Sequence, residues 1–218
     1  MRDMHSHILP GVDDGARDLE TSLAMIDAAR AAGVTSIVCT PHARDPYFDF
    51  EGMWSSFKEL SAHTDMPLSM GFEVAHEKLL ELGVRAWGER LAFEGTGEFL
   101  LELDPGCRSS RFREYERTIY QLQGLGLTVI IAHPERYRAI QRDLSLAERL
   151  VDLGCELQVS ADFISGGRFG RERRPARKLI ARGLCSYVAS DAHYVEHYRQ
   201  LAQTLREYPQ FGGDGGVT

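Results

Sequence analysis

The chain has 218 residues, 43% of them hydrophobic and 26% charged, which fits one globular domain with a substantial core. Its formal charge of −7 disfavours a surface for nucleic acid or anionic membranes, although bound divalent cations would offset carboxylates locally and leave phosphate substrates possible. No signal-peptide pattern opens the chain, and apolar runs such as Leu127–Ala132 are too short to span a bilayer, which favours a cytoplasmic protein without membrane insertion.

Short β-branched runs alternate with amphipathic segments, and we predict seven strands from them. The strands are Arg2–His7, Thr35–Thr40, Leu68–Val74, Phe99–Leu103, Leu127–Ala132, Glu156–Val159 and Ser186–Ala189. Helical patterns, each followed by glycine, cover Leu19–Ala32, Ser110–Leu125, Leu144–Leu153 and Pro175–Arg182. Repeated β-α units with buried strands indicate a parallel sheet, either closed into a barrel or open and doubly wound.

Side chains that can bind metal lie at the ends of most predicted strands. His5 and His7 are two residues apart, so in an extended strand both point to one side and can hold one ion. Asp14 lies on a glycine-bounded loop, where its neighbour Asp13 is also typical of a turn or cap. The nine candidates are His5, His7, Asp14, His42, Glu73, Glu102, His133, Asp191 and His193.

The distribution of these candidates distinguishes the two kinds of sheet. An open sheet gathers ligands near one switch point, whereas candidates at strands one to five and seven require a closed ring that points them inward. We therefore predict a distorted (β/α)7 barrel with a metal site at the C-terminal ends of the strands. The domain is expected to cover residues 1–210, followed by a flexible glycine-rich tail over residues 211–218.

The chemistry of the set indicates more than one metal ion. A carboxylate inside an apolar strand, as at Glu73 and Glu102, is costly unless a cation pairs with it. Five histidines and four carboxylates without a thiolate suit Mn, Zn or Fe, and they exceed the needs of one ion. We predict two or three divalent ions and phosphoester hydrolysis, because such clusters stabilise both the attacking hydroxide and the leaving oxygen.

Four motifs in chain order resemble the PHP (polymerase and histidinol phosphatase) superfamily, most closely its bacterial capsule-type manganese-dependent protein-tyrosine phosphatases. They are Asp3–Gly15, Thr40–His42, Ile131–Tyr137 and Ala189–His193. The resemblance implies manganese, with Fe or Zn possible, and attack on phosphorus by a metal-bound hydroxide without a phosphoenzyme. It also implies a phosphotyrosine protein as partner, namely the tail of a bacterial tyrosine autokinase that controls capsular or exopolysaccharide synthesis. The oligomeric state stays open.

The resemblance also implies roles for individual residues. It assigns His5, His7, Glu73 and Asp191 to one ion, Glu73, Glu102 and His133 to a second, and Asp14, His42 and His193 to a third. Arg136 is expected to bind phosphate oxygens in a bidentate manner, with an exposed arginine at a helix start as the alternative. We assign the catalytic role to Arg136, His42 and Asp191.

Two regions depart from the family pattern or extend it. Tyr194 and Tyr198 stand at or near positions where the family carries an asparagine and a second phosphate-binding arginine, for which Arg199 is a candidate replacement. The basic stretch from Arg168 to Lys178 fits an anion-guiding rim or, more simply, a solvated helix face.

Several alternatives remain open at the level of sequence. Cys107 and Arg113 have the spacing of thiol-dependent tyrosine phosphatases, but no glycine lies between them to form a phosphate loop, and the four cysteines are typical of reduced, buried thiols. A phosphatase for histidinol phosphate or nucleotides would use the same metals. A non-catalytic regulator that binds phosphotyrosine is a further alternative. The acidic charge disfavours an exonuclease, and the predicted sixth strand lacks the histidine expected of an amidohydrolase.

Overall fold

A computed structural model describes residues 1–213, which form nine strands and nine α-helices. The strands are β1 Arg2–Ser6, β2 Ser36–Cys39, β3 His42–Ala43, β4 Leu68–Met70, β5 Glu73–Ala75, β6 Glu98–Glu102, β7 Thr128–Ala132, β8 Glu156–Ser160 and β9 Tyr187–Ala189. The helices are α1 Leu19–Ala31, α2 Phe50–Ala62, α3 His76–Leu82, α4 Val84–Leu91, α5 Phe112–Gln123, α6 Arg138–Arg142, α7 Ser145–Asp152, α8 Arg173–Ala181 and α9 Val195–Glu207.

The strands form seven positions of a parallel barrel, as predicted. The hydrogen-bonded orders are β1-β2-β4 and β3-β5-β6-β7-β8-β9, with every pair parallel. Thr40 and Pro41 separate β2 from β3, and Gly71 and Phe72 separate β4 from β5. The predicted strand Leu68–Val74 is therefore split in two, and the short β3 follows the predicted strand Thr35–Thr40 as an addition. Proline has no N–H to donate to a neighbouring strand, which breaks the ladder at that point.

The last strand returns to the first and closes the ring. Ser6 forms an isolated bridge with Ala192, and the backbone N–H of Asp191 donates to His5 O at 2.9 Å. The buried carboxylate of Asp3 accepts the backbone N–H of Ser190 at 2.9 Å and its hydroxyl at 2.6 Å. We call these contacts between β1 and the end of β9 the seam.

Alternation along the strands sorts apolar side chains between two cores. The barrel interior contains Met4, Val38, Phe93, Leu100, Ile130, Ala132 and Ala189. On β6, Leu100 belongs to that interior, while Phe99 and Leu101 pack outward against the helices, as the two-residue period of a strand requires. Within residues 1–213, no helix is both long and apolar enough to cross a membrane.

The chain end differs from the prediction. A 3-10 helix covers Pro209–Gly212 and places Phe211 in the core with only 6% of its surface exposed, so the predicted tail does not begin at residue 211. Burial of the aromatic side chain of Phe211 stabilises this segment. The glycine-rich composition after it therefore placed the start of the tail too early. The remainder of the predicted tail, residues 214–218, lies outside the described residues.

Candidate metal centre

All nine predicted metal-binding residues meet at the C-terminal end of the barrel. Three groups each bring one ligand atom per residue within 4.8 Å of the others: His7, Asp14, His42 and His193; His5, His7 and Glu73; and His42, Glu73 and Glu102. His133 Nε2 lies 2.7 Å from Glu73 Oε1, and Asp191 Oδ1 lies 3.4 Å from Nε2 of both His5 and His7. Eight of the nine side chains are buried, and Asp14 is half-buried.

The groups largely follow those implied by the resemblance, with three differences. Asp191 is in none of the three groups, although its carboxylate lies 3.4 Å from His5 and His7. His7 approaches the Asp14 group as well as the His5 group, since its ring lies 4.2 Å from that of His42 and 4.1 Å from that of His193. His42 joins Glu73 and Glu102 in the group where His133 was expected. Because these residues are shared, the clusters are contiguous.

The donor set fits divalent ions. Among residues 1–213, the buried atoms Asp14 Oδ1, Glu73 Oε2 and His193 Nε2 make no hydrogen bond of good geometry. His42 Nε2 and His193 Nε2 both point at Asp14 Oδ1, at 3.1 Å and 3.4 Å. Buried polar groups normally have partners, and unpartnered carboxylate oxygens facing imidazole nitrogens are typical of a site for cations.

A second layer of polar residues orients the two N-terminal histidines. His7 Nδ1 donates to Asp13 Oδ2 at 2.8 Å, and His5 Nδ1 donates to Gln158 Oε1 at 2.8 Å. Both Nε2 atoms therefore point into the cluster, where they lie 3.2 Å apart. A partner on one ring nitrogen fixes the tautomer and presents the other nitrogen to a metal.

Asp13 has more contacts than a turn residue needs. It also accepts the backbone N–H groups of Gly15 at 2.9 Å and His42 at 3.1 Å. Burial alone would raise the pKa of Asp13, but the charge and hydrogen bond of His7 lower that pKa to about 2. Sequence reasoning left Asp13 as a turn or cap residue and missed this orienting contact. Its closeness in sequence to His5 and His7 was the available signal.

The backbone adopts unusual conformations at the site. His133 and Asp191 have φ values of 31° and 48°, in the left-handed region that non-glycine residues rarely use. A Cβ at Gly15 would lie 2.0 Å from the carbonyl oxygen of His7, so only glycine lets this loop approach the histidine. Strained residues of this kind concentrate at functional sites, where the surrounding contacts hold them.

Arg136 is buried beside the cluster and is not the exposed arginine of the alternative interpretation. Only 7% of its surface is exposed, with Nη1 2.6 Å from Asp191 Oδ2 and Nη2 3.2 Å from Asp162 Oδ2. Burial would raise the pKa of Asp191, but Arg136 and His5 hold it well below its usual range. Burial raises the pKa of Asp162 to about 6, although Arg136 offsets part of that effect. Sequence reasoning missed Asp162 because no motif marked it.

Two further arginines lie at the mouth of the cluster. Nη2 of Arg44 lies 2.8 Å from His42 Nε2 and 3.7 Å from Asp14 Oδ2, and Nη2 of Arg168 lies 3.6 Å from the same Asp14 oxygen. Their side chains are 30% and 46% exposed, so solvent reaches both. Arg168 belongs to the predicted basic rim, whereas Arg44 was missed. Its position two residues after His42, at the end of the short β3, was the available signal.

The other departures from the family pattern place no further arginine in the cluster, although the ring of Tyr194 lies 6.2 Å from that of His193. Arg199 is largely exposed and pairs with Glu196 at 2.7 Å. Tyr198 is buried, and its hydroxyl lies 2.9 Å from Ser6 Oγ, whereas Tyr194 is exposed. Neither tyrosine carries the positive charge of an arginine.

The thiol alternative finds no support in the structure. Cys107 is buried, and burial raises the pKa of its thiol, which opposes formation of the thiolate nucleophile. Arg113 lies on α5 and lines a surface cavity with Arg85 and Arg117. All four cysteines are free and buried.

Comparisons with known proteins give a consistent result. A family model described as "Capsular polysaccharide synthesis, CpsB/CapC" matches residues 1–207. The chain is 33% identical to the tyrosine-protein phosphatase YwqE of Bacillus subtilis, over 98% of this chain and 86% of that protein. It is 30% identical to the tyrosine-protein phosphatase CpsB of Streptococcus pneumoniae, over 90% of this chain and 84% of that protein.

Solved structures agree with the sequence comparisons. A crystal structure from work on YwqE and CpsB, described there as unique metal-dependent tyrosine phosphatases, superposes with a TM-score of 0.78 at 30% identity. It covers 98% of this chain and 89% of its own. A β-aspartyl dipeptidase of Fervidobacterium islandicum superposes with a TM-score of 0.55 at 14% identity, over 97% of this chain and 70% of that one, and shows likeness of fold alone.

Proposed function

Because the chain belongs to the CpsB/CapC family of capsular polysaccharide synthesis proteins, we propose that it is a metal-dependent protein-tyrosine phosphatase. The observation that carries this proposal is the convergence of nine histidine and carboxylate side chains at one end of the barrel. A cluster of that composition suits hydrolysis of a phosphomonoester better than transfer through a thiol, since the four cysteines are buried and burial raises the pKa of the Cys107 thiol.

We propose two or three divalent ions, with manganese as the first candidate and Fe or Zn as alternatives. His5, His7, Glu73 and Asp191 would hold one ion, Glu73, Glu102 and His133 a second, and Asp14, His42 and His193 a third. When bound, these ions would lower the pKa of water and stabilise negative charge on phosphate oxygens. Asp13 and Gln158 would hold the histidines of the first group in their ligating orientation.

Arg136 is proposed to bind phosphate while it orients Asp191. A guanidinium has five N–H donors, and the two ion pairs leave several free, including Nε, which has no partner within residues 1–213. Because both terminal nitrogens already contact carboxylates, we expect one or two N–H donors toward phosphate rather than a symmetric bidentate clamp.

Arg44 and Arg168, which lie near Asp14, are proposed to complete the phosphate site together with Arg136, which lies near Asp191. Both reach Asp14 from the solvent-accessible mouth, where an incoming phosphate would first meet positive charge. His42 contacts Arg44, and Asp191 contacts Arg136. His42 and Asp191 would therefore lie between the metal ligands and the arginines, next to the reacting phosphate. Excluding water from such a site strengthens these interactions.

The proposed substrate is phosphotyrosine in a protein. We further propose that this protein is the tyrosine-rich tail of a bacterial autokinase that controls capsular or exopolysaccharide synthesis, which accords with membership of a capsular polysaccharide synthesis family. A small-molecule phosphatase acting on histidinol phosphate or a nucleotide would use the same residues, and it remains the second candidate because the side chains of the metal cluster do not distinguish the leaving group.

The test is phosphate release from a phosphotyrosyl peptide by chelator-treated protein, before and after manganese is added, with a thiol blocker in a parallel sample. We expect release that requires metal, survives the blocker and persists in the Cys107→Ser variant. A control panel contains histidinol phosphate and nucleoside monophosphates. If the metal-loaded protein cleaves those and spares the peptide, the protein-phosphatase proposal is wrong and the small-molecule alternative takes its place.

A further inference from the structure

Two clefts of opposite charge flank the candidate metal centre. The acidic cleft, of about 460 Å³, includes Glu102 and Arg44 in its wall, and the basic cleft, of about 350 Å³, includes Arg136. Pro105 lines both clefts, so the loop after β6 separates them. A peptide whose phosphate sits at the centre would have room on either side of this loop.

The acidic cleft contains more negative than positive charge. Its carboxylates are Asp45, Glu77, Glu81, Glu102 and Asp104, and its cations are Arg44 and Lys78. Lys78 pairs with Asp45 at 2.8 Å and Glu81 at 3.0 Å, and the neighbouring Arg111 pairs with Glu77 and Asp104. Lys78 and Arg111 are each shared between two carboxylates of this cleft, and Arg111 also pairs with Glu114, so negative charge remains in excess.

The basic cleft has the opposite balance. Arg136, Arg138 and Arg171 line it together with a single carboxylate, Glu172, which is buried and accepts the backbone N–H groups of Phe169 at 3.1 Å and Arg171 at 2.8 Å. Within residues 1–213, the guanidinium groups of Arg138 and Arg171 form no ion pair. Both are exposed.

An exposed aromatic ring adds an apolar wall to the basic cleft. Phe169 is 58% exposed, which is unusual for a side chain of this size. It lies on the segment between Ile164 and α8 that also carries Arg168, the arginine 3.6 Å from Asp14. Unpaired arginines beside an exposed ring are typical of a surface that binds acidic peptides with apolar or aromatic residues.

We propose that these clefts make the enzyme selective for phosphotyrosines with acidic residues on one side of the chain and neutral or basic residues on the other. This inference rests on the proposed function and names the substrate class of the same site. Arg138 and Arg171 act as specificity determinants: they attract carboxylates that flank the phosphotyrosine and do not touch the phosphate. The acidic cleft repels carboxylates from the opposite flank.

The test compares three phosphotyrosyl peptides of equal length. One has glutamates before the phosphotyrosine and lysines after it, the second has the reverse order, and the third has serines on both sides. We expect kcat/KM of one charged peptide to exceed that of its reverse by roughly five-fold or more at low salt, and the ratio to shrink at high salt. Equal values for the two charged peptides would overturn the proposal.

Variants identify the cleft responsible. R138E/R171E is expected to abolish or invert the preference while leaving hydrolysis of phenyl phosphate unchanged, and R138K/R171K is expected to retain the preference. The matched control is R113E/R117E, which makes the same change in charge at the arginine cavity of α5. A preference that survives in R138E/R171E, or that is lost equally in the control, contradicts the role of the basic cleft.

Phenyl phosphate also separates the two proposals. If the metal-loaded wild type hydrolyses neither phenyl phosphate nor any peptide, the proposed function is wrong and the selectivity inference fails with it. If all three peptides are hydrolysed at similar rates, the proposed function stands and the inference alone is wrong.

Discussion

Asp13 determines how His7 presents its imidazole to the candidate metal centre. Its carboxylate accepts the His7 Nδ1 proton at 2.8 Å and also holds the backbone N–H of His42 at 3.1 Å. Removing such an outer partner typically lowers metal affinity about 10- to 100-fold. We therefore expect Asp13→Asn to raise the apparent manganese dissociation constant by about that factor, measured by calorimetry on chelator-treated protein.

The matched control for this prediction is Asp143→Asn. Asp143 accepts the backbone N–H and hydroxyl of Ser145 at an exposed site away from the nine residues. We expect manganese affinity to stay unchanged in that variant. Equal affinities for Asp13→Asn and wild type would show that His7 does not depend on Asp13 for its orientation.

At the residue scale, the sequence revealed the candidate ligands but only part of their surroundings. Glu73 and Glu102 were identifiable because a carboxylate in an apolar strand needs a cation. Asp162 and Gln158 were not, since their contacts with Arg136 and His5 join residues more than twenty positions apart in the chain. The left-handed backbone conformation of His133 could not be predicted either, because the identity of the residue does not indicate it.

His76 links α3 to α5. Its Nε2 lies 2.9 Å from Thr118 Oγ1, and its ring meets Tyr115 edge-on with centroids 4.7 Å apart. Burial lowers the pKa of His76 below the 6.5 of an exposed histidine. The unfolded chain therefore binds this proton more tightly, so the stability due to neutral His76 is complete above about pH 6.5 and is lost as the pH falls toward the folded-state pKa.

We expect His76→Gln to flatten the dependence of unfolding free energy on pH below about 6.5, as measured by urea denaturation of metal-loaded protein. Bound metal keeps the ligating histidines deprotonated, so the difference between variant and wild type isolates His76. His63→Gln, at an exposed position, is the control. Parallel pH curves for wild type and His76→Gln would contradict the prediction.

At the element scale, the helices found from sequence were those with a glycine just beyond them. Gly33 and Gly183, with φ values of 88° and 68°, follow α1 and α8 closely and made these ends visible. Helices α2 and α9 were missed, and they end at His63 and Tyr208 without such a signal. Helices α3 and α4, on either side of Gly83, have only seven and eight residues. Helices of this length are too short to show a clear helical period of hydrophobic residues.

At the scale of the whole molecule, the positions of the candidate metal ligands predicted the closed barrel better than the hydrophobic pattern of the strands did. Side chains at the ends of strands one to five and seven can meet only if those strands form a ring, and the bridge between Ser6 and Ala192 completes that ring. The split of the strand at Gly71–Phe72 and the separate short β3 after Pro41 were not predicted. Pro41 marks where β2 ends, but neither that proline nor Gly71–Phe72 indicates that a second short strand follows the break.

The seam depends on a single buried carboxylate, that of Asp3. Asp3 accepts two hydrogen bonds from Ser190. The backbone of β1 meets the residues after β9 through the bridge between Ser6 and Ala192 and through the hydrogen bonds of Asp191 N to His5 O and of His7 N to Ala192 O. Asp3→Ala would leave the buried N–H of Ser190 without its partner, at a cost of about 1–3 kcal/mol, and would add a small cavity. We expect a total loss of about 2–4 kcal/mol, or roughly 5–15 °C in Tm for a chain of this length.

The seam also connects stability to metal binding, because His5 lies on β1 and Asp191 lies just beyond β9. If the seam opens in Asp3→Ala, these two candidate ligands separate, so manganese should raise the Tm of this variant at higher concentrations than it does for wild type. Asp65→Ala, which removes an exposed partner of Arg30, controls for the loss of a carboxylate and should change Tm little. Equal Tm values in the two variants would mean that the remaining backbone contacts alone keep the ring closed. Equal manganese dependence would mean that the metal centre does not depend on the Asp3 contact.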